Sequence, residues 1–219
     1  MIPTLKIDIV SDVVCPWCAI GYAQLQRAIA DLGDRAEIDI RWHPFELVPD
    51  MPPEGKSTAD HLRDRYGASA EQGQANRQRI VETGAALGID FRYSDASRIY
   101  STHKAHQLLT WADEQGKQTA LKLALFKAYF TEQRNISDTD ILVEIAGSVG
   151  LDPALARSHL DAGSYADQVS VEMEHWIDQN VTGVPAFIIN GKYMIPGAQD
   201  AETFGRIFDR ILEKEAALA

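Results

Sequence analysis

The sequence contains little cysteine: two residues among 219, both between positions 15 and 18. A structural zinc site needs four ligands, so two cysteines cannot build one by themselves. His103 and His106, spaced i and i+3, would have to complete it, and a histidine on an amphipathic helix is more often a polar residue with its hydrogen bonds satisfied. We therefore expect no metal site.

Positive charge is also scarce. Lys and Arg number 21 against 32 Asp and Glu, which leaves a formal net charge of -11. Nucleic acids and anionic membrane surfaces are bound by basic patches. The composition therefore argues against both as partners, and it leaves protein thiols and small neutral or cationic molecules as candidate substrates.

Long apolar runs are missing as well. No uninterrupted hydrophobic stretch reaches the length that spans a bilayer. Residues 1–8 also lack the basic segment followed by an apolar one that is typical of a secretory signal. We expect a cytoplasmic protein with no membrane partner. In that compartment thiol pools reduce structural disulfides, so a disulfide formed there is usually transient and catalytic.

The chain has no internal repeat and no low-complexity segment, and its pattern predicts an α/β protein. At 219 residues it is long for one average domain and short for two, which favours a compact core with a large insertion. Within residues 57–180 we expect no strand, because capping residues such as Ser69 and Ser137 mark successive helices. The first predicted elements are a strand at residues 5–10, a helix at 16–32, a second strand at 37–45 and a proline-containing loop at 46–55. The helical region at 57–180, a β-hairpin at 184–196 and a final helix at 203–218 follow.

The two cysteines lie where the first strand turns into the first helix. Pro16 suits the first helical position, because it has no N–H to leave unpaired and its φ is already helical, and this makes Cys15 the N-cap. Backbone amides and the helix dipole stabilise a thiolate there, so the pattern predicts a lowered pKa for Cys15. Cys18 follows one turn later on the same face, where it can close a disulfide with little backbone movement. Two cysteines that merely pack in a core would need neither the proline nor the turn.

Four segments of the chain form a recognisable set: Ser11-Asp12-Val13-Val14-Cys15-Pro16-Trp17-Cys18, Pro44-Phe45-Glu46-Leu47, Pro49-Asp50-Met51-Pro52-Pro53-Glu54-Gly55 and Gly183-Val184-Pro185-Ala186-Phe187. With the order of strands and helices they resemble the DsbA family, and within it the FrnE-like branch, which is related to chromene-carboxylate isomerases and kappa-class glutathione transferases. The resemblance covers the whole chain. It implies a thioredoxin-like core of residues 1–56 and 181–219, with an inserted helical subdomain of residues 57–180.

The resemblance also implies roles for individual residues. The catalytic redox pair would be Cys15 and Cys18. The bond before Pro185 would be cis, with its ring against the disulfide, and the residue before it would offer backbone hydrogen bonds to a bound substrate strand. Substrate would be bound by four residues around the pair: Pro16, Trp17, Val184 and Pro185.

Two positions depart from the family pattern. Thioredoxins keep a buried carboxylate on the strand beneath the motif, yet the inward positions here are Ile7 and Ile9. Asp12 is the nearest acid, and it either assists proton transfer or caps the loop through a local Asx-type hydrogen bond. Ser101 stands where the branch often has Asn, which puts any substrate contact from that helix in doubt.

These features predict a thiol–disulfide oxidoreductase or isomerase that acts through a mixed disulfide. Its partners would be disulfide- or thiol-bearing proteins or small thiols, with no cofactor beyond the redox-active disulfide and with glutathione as a candidate co-substrate. A glutathione-dependent isomerase or transferase of the kappa-like type is one alternative, although those relatives usually have Ser at the position of Cys15. A holdase-like binding protein is the other, and it would keep working without its thiols. No feature of the sequence sets the oligomeric state or the direction of the redox reaction.

Overall fold

The computed structural model describes residues 2–52, 54–67 and 69–217, in which helices surround a four-stranded sheet. In chain order the elements are β1 (Thr4–Ser11), α1 (Pro16–Leu32), β2 (Glu37–Pro44), β3 (Lys56–Ser57), α2 (Thr58–Tyr66), α3 (Ala70–Ala85), β4 (Arg98–Ile99), α4 (His103–Glu114), α5 (Gln118–Phe126), a π-helical turn (Lys127–Thr131), α6 (Thr139–Ser148), α7 (Pro153–Ala162), α8 (Ala166–Asp178), β5 (Ala186–Ile189), β6 (Tyr193–Pro196) and α9 (Ala201–Ala216).

The order of strands in the sheet is β2-β1-β5-β6. β1 and β2 are parallel and are connected by α1, which confirms the predicted βαβ unit. β5 pairs antiparallel with β1 and with β6. β1 is thus a central strand, and its carboxyl end leads directly into the turn that holds the cysteines.

The two faces of β1 contact different helices. Leu5, Ile7 and Ile9 are buried in one cluster with residues of α1 and α9. On the other face Val10 packs with Trp176 of α8. Because helices cover both faces, the end of β1 is held rigidly, and the turn after it has a defined position.

The helical region between β2 and β5 has its own core. Buried residues of α4, α5, α6 and α7 form a second apolar cluster, which also takes in Val13 and Val14 from the turn before α1. The expectation that no strand occurs here is wrong in one respect, because β3 and β4 pair as a short antiparallel ribbon. Gly55 (φ +70°) precedes this ribbon, and a Cβ there would lie 2.4 Å from the carbonyl oxygen of Ile99. Two-residue strands carry no alternating pattern that a sequence could show.

Of the two helix caps named from the sequence, Ser69 is confirmed and Ser137 is wrong. Ser69 and Gln72 form the predicted capping box of α3. α6 is capped by Asp138 and not by Ser137, because the Asp138 carboxylate accepts the N–H groups of Asp140 and Ile141. An aspartate accepts these N–H groups as well as a serine does, so the sequence alone placed this helix start one residue early.

The C-terminal hairpin and helix are present with small changes of boundary. Asn190 and Gly191 both have positive φ, 53° and 64°, as the Asn-Gly signal predicts. The first hairpin strand begins at Ala186, two residues later than expected. α9 begins at Ala201 with Asp200 as its N-cap. The predicted end of this helix at Leu218, like Pro53 in the loop after β2, lies outside the described residues.

Helix α5 connects the helical region to the sheet. The Gln118 side chain accepts the Trp42 N–H and donates to the Trp42 carbonyl, both at 2.8 Å, as a neighbouring strand would. One turn further, Lys122 reaches the end of β1, where its Nζ donates to the Ser11 carbonyl at 3.3 Å. Helix α5 therefore places a lysine beneath the cysteine turn.

Among the described helices, none is long and apolar enough to cross a membrane.

Candidate active site

Cys15 ends the turn between β1 and α1, Cys18 lies in the first turn of α1, and both are free thiols. Cys15 has extended backbone (φ -88°, ψ 110°) and is the N-cap of α1, with Pro16 at the first helical position, as predicted. The Cys15 N–H donates to the Asp12 carbonyl at 3.2 Å, and the Cys18 N–H donates to the Cys15 carbonyl at 3.1 Å. These bonds close the turn and place the two sulfurs on the same side of the helix start.

The two thiols differ in access. Cys15 is 4% exposed and lines a cavity, whereas Cys18 is 0% exposed and lies behind it. The Cys15 thiol donates to the Val184 carbonyl at 3.6 Å. The Val184–Pro185 peptide bond is cis, which confirms that prediction. Only Cys15 is therefore placed where another molecule can reach its sulfur.

The cavity beside Cys15 has a volume of about 480 Å³. Its walls are mostly aromatic and aliphatic, and they come from α1, α2, α3, the segment before α4, the π-helical turn and the residue before Pro185. Three sequence-predicted site residues, Pro16, Trp17 and Val184, line it together with Cys15. The sequence could not show this cavity, because its other walls come from distant parts of the chain: Leu47, Leu62, Arg77, Ile80, Tyr93, Ile99, Tyr129 and Phe130.

The electrostatics of the pair differ from the sequence-based expectation. A hydrogen bond with the Cys18 thiol and burial raise the pKa of the Cys15 thiol well above its ordinary value, and they outweigh a backbone hydrogen bond from Cys18 that acts to lower it. The predicted lowered pKa of Cys15 is therefore wrong for the reduced pair. Burial by itself would raise the pKa of Cys18, but a hydrogen bond with Cys15, the Ser11 hydroxyl and the charge of Lys122 outweigh it and lower that pKa.

The environment of Cys18 contains two polar residues that sequence reasoning missed. Ser11 Oγ is buried without a conventional hydrogen-bond partner among the described residues, and it lies close enough to Cys18 to lower its pKa. Lys122 is fully buried on α5, and burial lowers its pKa to about 8. In the sequence Lys122 is one of several lysines in helical segments, so no local signal marks it as buried.

Asp12 is also buried beside the pair. Its Oδ2 accepts the Leu47 N–H at 2.8 Å, so it connects the cysteine turn to the loop after β2. This bond spans 35 residues and replaces the local Asx-type bond considered above. The other oxygen, Oδ1, has no hydrogen bond to any of the described residues and lies 3.4 Å from His106 Nε2.

The histidines considered as metal ligands have other partners. His103 Nδ1 lies 2.7 Å from a carboxylate oxygen of the buried Glu46. His106 Nε2 lies 3.0 Å from the Phe45 carbonyl oxygen. Both histidines thus connect α4 to the loop after β2, and this loop forms part of the wall around the cysteines.

Comparison with known proteins identifies the family to which this chain belongs. A model of the DSBA-like thioredoxin domain matches residues 6–209. The uncharacterized protein YwbO of Bacillus subtilis (strain 168) is 31% identical over 202 residues, which is 92% of this chain and 94% of that protein.

Two solved structures are similar to the fold described here. The crystal structure of the probable DsbA oxidoreductase SCO1869 from Streptomyces coelicolor has a TM-score of 0.88 and 32% identity, over 94% of this chain and 89% of that one. The cytosolic disulfide reductase DsbM from Pseudomonas aeruginosa, solved with GSH, has a TM-score of 0.62 and 17% identity, over 97% and 99% of the two chains. The second likeness concerns the fold alone.

Proposed function

The chain belongs to the DsbA-like thioredoxin family, and we propose on that basis that it is a thiol–disulfide oxidoreductase whose redox pair is Cys15 and Cys18. Members of this family are generally oxidoreductases. The observation that carries the proposal is the pair itself: two free thiols at one helix start, one lining a cavity and the other buried behind it. This arrangement suits one sulfur that attacks and a second that resolves.

Reduction of a substrate disulfide would begin with Cys15. Its thiolate attacks one substrate sulfur, a Cys15–substrate S–S bond forms, the substrate S–S bond breaks, and the freed sulfur leaves as a thiolate. The Cys18 thiolate then attacks the Cys15 sulfur, the Cys15–Cys18 bond forms, and the second substrate sulfur leaves. Two electrons pass from the pair to the substrate. Oxidation of a dithiol substrate follows the same steps in reverse.

Proton movement within the pair supports this sequence. Once the reduced pair has lost one of its two protons, the two sulfurs share the other, and the ionisations belong to the pair rather than to either sulfur. Transfer of the shared proton from Cys15 to Cys18 along their hydrogen bond produces the attacking Cys15 thiolate. Cys18 must lose that proton before it can resolve the mixed disulfide. We assign this step to Asp12, because it is the acid buried beside the pair and its Oδ1 has no hydrogen bond.

The substrate side of the site would consist of Pro16, Trp17, Val184 and Pro185. Trp17 lies at the cavity with the Arg79 guanidinium 4.9 Å from its ring centre. The Val184 carbonyl, 3.6 Å from the Cys15 sulfur, can accept a hydrogen bond from an extended substrate backbone. Because the cavity is mostly apolar, it suits an apolar group next to the substrate sulfur.

The partners would be disulfide- or thiol-bearing proteins or small thiols. Glutathione is the small thiol that we propose as co-substrate, since the structurally similar DsbM was solved with GSH. The cytoplasm is the compartment we propose, in keeping with the cytosolic location of that protein.

A second candidate function is a glutathione-dependent isomerase or transferase. The structure of DsbM with GSH supports this candidate, because DsbM has a similar fold. Such an enzyme needs a catalytic group at position 15 but no resolving thiol at position 18. The presence of Cys18 favours redox chemistry, and replacing Cys18 separates the two functions.

Capture of the mixed disulfide tests the proposal. Cys18→Ser, incubated with oxidised glutathione, should accumulate one glutathione on Cys15, because nothing resolves the adduct. Intact-mass spectrometry and peptide mapping measure it. The wild-type protein should pass through this adduct and end with an internal disulfide.

Cys15→Ser is the matched control, and it should react far more slowly, because Cys18 is 0% exposed. Equal labelling of Cys18 in that variant would contradict the assigned roles. A protein that keeps its full activity without Cys18 would be an isomerase or transferase. One that still binds unfolded chains without either thiol would be a holdase.

A further inference from the structure

Arg77 is the only residue with a permanent charge among the described residues that line the cavity beside Cys15. It lies half-buried on α3, and none of the described residues forms an ion pair or a hydrogen bond with its side chain. Arg79, two residues further, differs, because it donates to Asn76 and lies over the Trp17 ring. A guanidinium beside apolar walls is costly unless an anion or hydrogen-bond acceptors compensate it. Arg77 therefore lacks a counter-charge, which a ligand in the cavity can supply.

The Tyr93 hydroxyl is a second polar group in this cavity without a hydrogen bond to any described residue. Tyr93 comes from the segment between α3 and β4, and it lines the same space as Arg77 and Cys15. Burial and the charge of a Cys15 thiolate raise the pKa of Tyr93, whereas the charge of Arg77 opposes that shift. Charges act on a neighbouring group in this way over a few ångströms. The three groups therefore face the same part of the cavity.

The charge of the cavity is opposite to that of the whole chain. No carboxylate among the described residues lines it, although the chain has 32 Asp and Glu against 21 Lys and Arg. On the α2 wall, burial and the positive charges of Arg65 and Lys56 lower the pKa of His61. The composition favoured neutral or cationic small substrates, but the local potential selects the ligand that enters a cleft. This cavity therefore favours an anion.

A carboxylate attached to a small disulfide fits these groups. A guanidinium and a phenolic O–H both donate hydrogen bonds, and the oxygens of a carboxylate only accept them. The aliphatic and aromatic walls suit the short carbon chain between the carboxylate and the sulfur. The volume of about 480 Å³ is within the range of small-molecule sites.

We propose that Arg77 and Tyr93 form a carboxylate subsite, and that the disulfide or thiol exchanged at Cys15 is a small molecule with a carboxylate near its sulfur. The inference deepens the proposed redox function and rests on it. In the first step the Cys15 thiolate attacks a sulfur of the bound disulfide, a mixed disulfide forms, and the other half leaves as a thiolate. Arg77 binds the carboxylate and thereby determines which disulfide is bound beside Cys15.

Three small disulfides of nearly equal size test this preference for charge. Dithiodipropionate ends in carboxylates, hydroxyethyl disulfide in hydroxyls and cystamine in ammonium groups. Each is reacted with the Cys18→Ser protein, in which the mixed disulfide on Cys15 accumulates because nothing resolves it. Intact-mass spectrometry after acid quenching gives the second-order rate constant.

Further substitutions are made in this Cys18→Ser background. Arg77→Gln removes the charge, Arg77→Lys keeps it, and Tyr93→Phe removes the hydroxyl. Arg210→Gln is the matched control, because Arg210 is exposed on α9 and does not line the cavity, and its removal changes the net charge equally. Near-ultraviolet circular dichroism establishes that each variant is folded.

Arg77→Gln should lower the rate constant for dithiodipropionate about tenfold, because a charge-assisted hydrogen bond to the carboxylate is lost. The rate constant for hydroxyethyl disulfide should stay the same, and that for cystamine should rise slightly. Arg77→Lys should keep most of the preference, and Tyr93→Phe should lower the rate constant for dithiodipropionate alone, about threefold. Arg210→Gln should change none of them. An equal change with all three disulfides in Arg77→Gln would overturn the inference, because Arg77 would then act on the thiol and not on the substrate.

Alkylation of Cys15 by iodoacetamide separates the subsite from the redox function, because it needs no disulfide exchange. Thiodipropionate, an unreactive thioether with two carboxylates, should slow the alkylation, whereas thiodiglycol, its hydroxyl counterpart, should not. Arg77→Gln should remove the protection. If none of the disulfides reacts with Cys15 while this protection depends on Arg77, the redox function fails and the carboxylate subsite stands. If all three disulfides react and neither reactivity nor protection depends on Arg77, the inference about the subsite alone fails.

Discussion

At the scale of single residues, the two cysteines share one helical turn but differ in what surrounds them. Cys15 faces the cavity and the Val184 carbonyl, which is a hydrogen-bond acceptor and does not stabilise a thiolate. Cys18 faces hydroxyl and backbone donors and the positive charge of Lys122. Donors and cations stabilise a thiolate. These partners lower the pKa of Cys18 against the effect of burial, while the sulfur of Cys15 is the one that lines the cavity.

Single-cysteine variants test this distribution of charge. In Cys15→Ser the Cys18 thiol should titrate below its ordinary value, because Ser11, the Asp12 N–H and Lys122 remain in place. In Cys18→Ser the Cys15 thiol should titrate higher than Cys18 does in the other variant, because burial and the acceptor carbonyl act on it. Thiolate absorbance against pH measures both. If Cys15 were the more acidic thiol, the N-terminus of α1 would have the largest effect on the two pKa values, as the sequence alone suggested.

At the scale of secondary-structure elements, His43 connects three of them. It lies on β2, with Nε2 2.8 Å from Asp8 Oδ1 on β1 and Nδ1 2.6 Å from Glu172 Oε1 on α8. Its ring also packs against Trp176, with the centres 4.7 Å apart. One buried histidine side chain thus joins the sheet to the last helix of the helical region.

The contribution of His43 to stability should depend on pH. Burial alone would lower its pKa, but the hydrogen bonds and charges of Asp8 and Glu172 outweigh it and raise the pKa. A histidine with a raised folded-state pKa stabilises the fold fully below the unfolded-state value of about 6.5 and loses this contribution as the pH rises through the folded-state value. His43→Gln should therefore cost about 2 kcal/mol near pH 6 and less near pH 9.

Urea unfolding curves followed by tryptophan fluorescence measure this difference. His175→Gln is the control, because His175 lies on the exposed side of α8 next to Trp176, and it should change the free energy of unfolding little at either pH. A loss of stability for His43→Gln that is the same at both pH values would show that packing, and not the charge of the imidazolium, accounts for it.

At the scale of the whole molecule, the site lies where the sheet and the helical region meet. The sheet supplies the cysteine turn and the Val184–Pro185 segment. The helical region supplies Lys122 beneath the pair and most of the cavity wall above it. A change in the bonding or charge of Cys15 and Cys18 therefore affects side chains from both the sheet and the helical region.

The stability of the two redox forms should reflect this arrangement. A loop closed by so few residues restricts the unfolded chain little, so a Cys15–Cys18 disulfide adds little stability. Disulfide formation also removes the thiol ionisation of Cys18 that the charge of Lys122 favours. We expect the reduced form to be at least as stable as the oxidised one, as measured by denaturant unfolding of each. An oxidised form that is several kcal/mol more stable would instead indicate a structural disulfide.

Much of this molecule could be predicted from its sequence because the relevant signals are local. The apolar alternation of Ile7 and Ile9, the proline after Cys15 and the Asn190-Gly191 turn each act on neighbouring residues, and the corresponding elements are all present. The β3–β4 ribbon was missed because its pairing joins residues about forty positions apart and is too short to show a pattern. The start of α6 was misplaced because two adjacent residues can each cap a helix.

The sequence by itself determined the arrangement of the proposed redox pair, since the spacing of Cys15 and Cys18 and the position of Pro16 follow from the geometry of one helical turn. Only the tertiary structure decided where the charge of the pair is stabilised. A pKa depends on every charge and donor within a few ångströms, and here Lys122 comes from a helix more than one hundred residues away in the chain. Long-range packing places that ammonium group, and no local pattern records it.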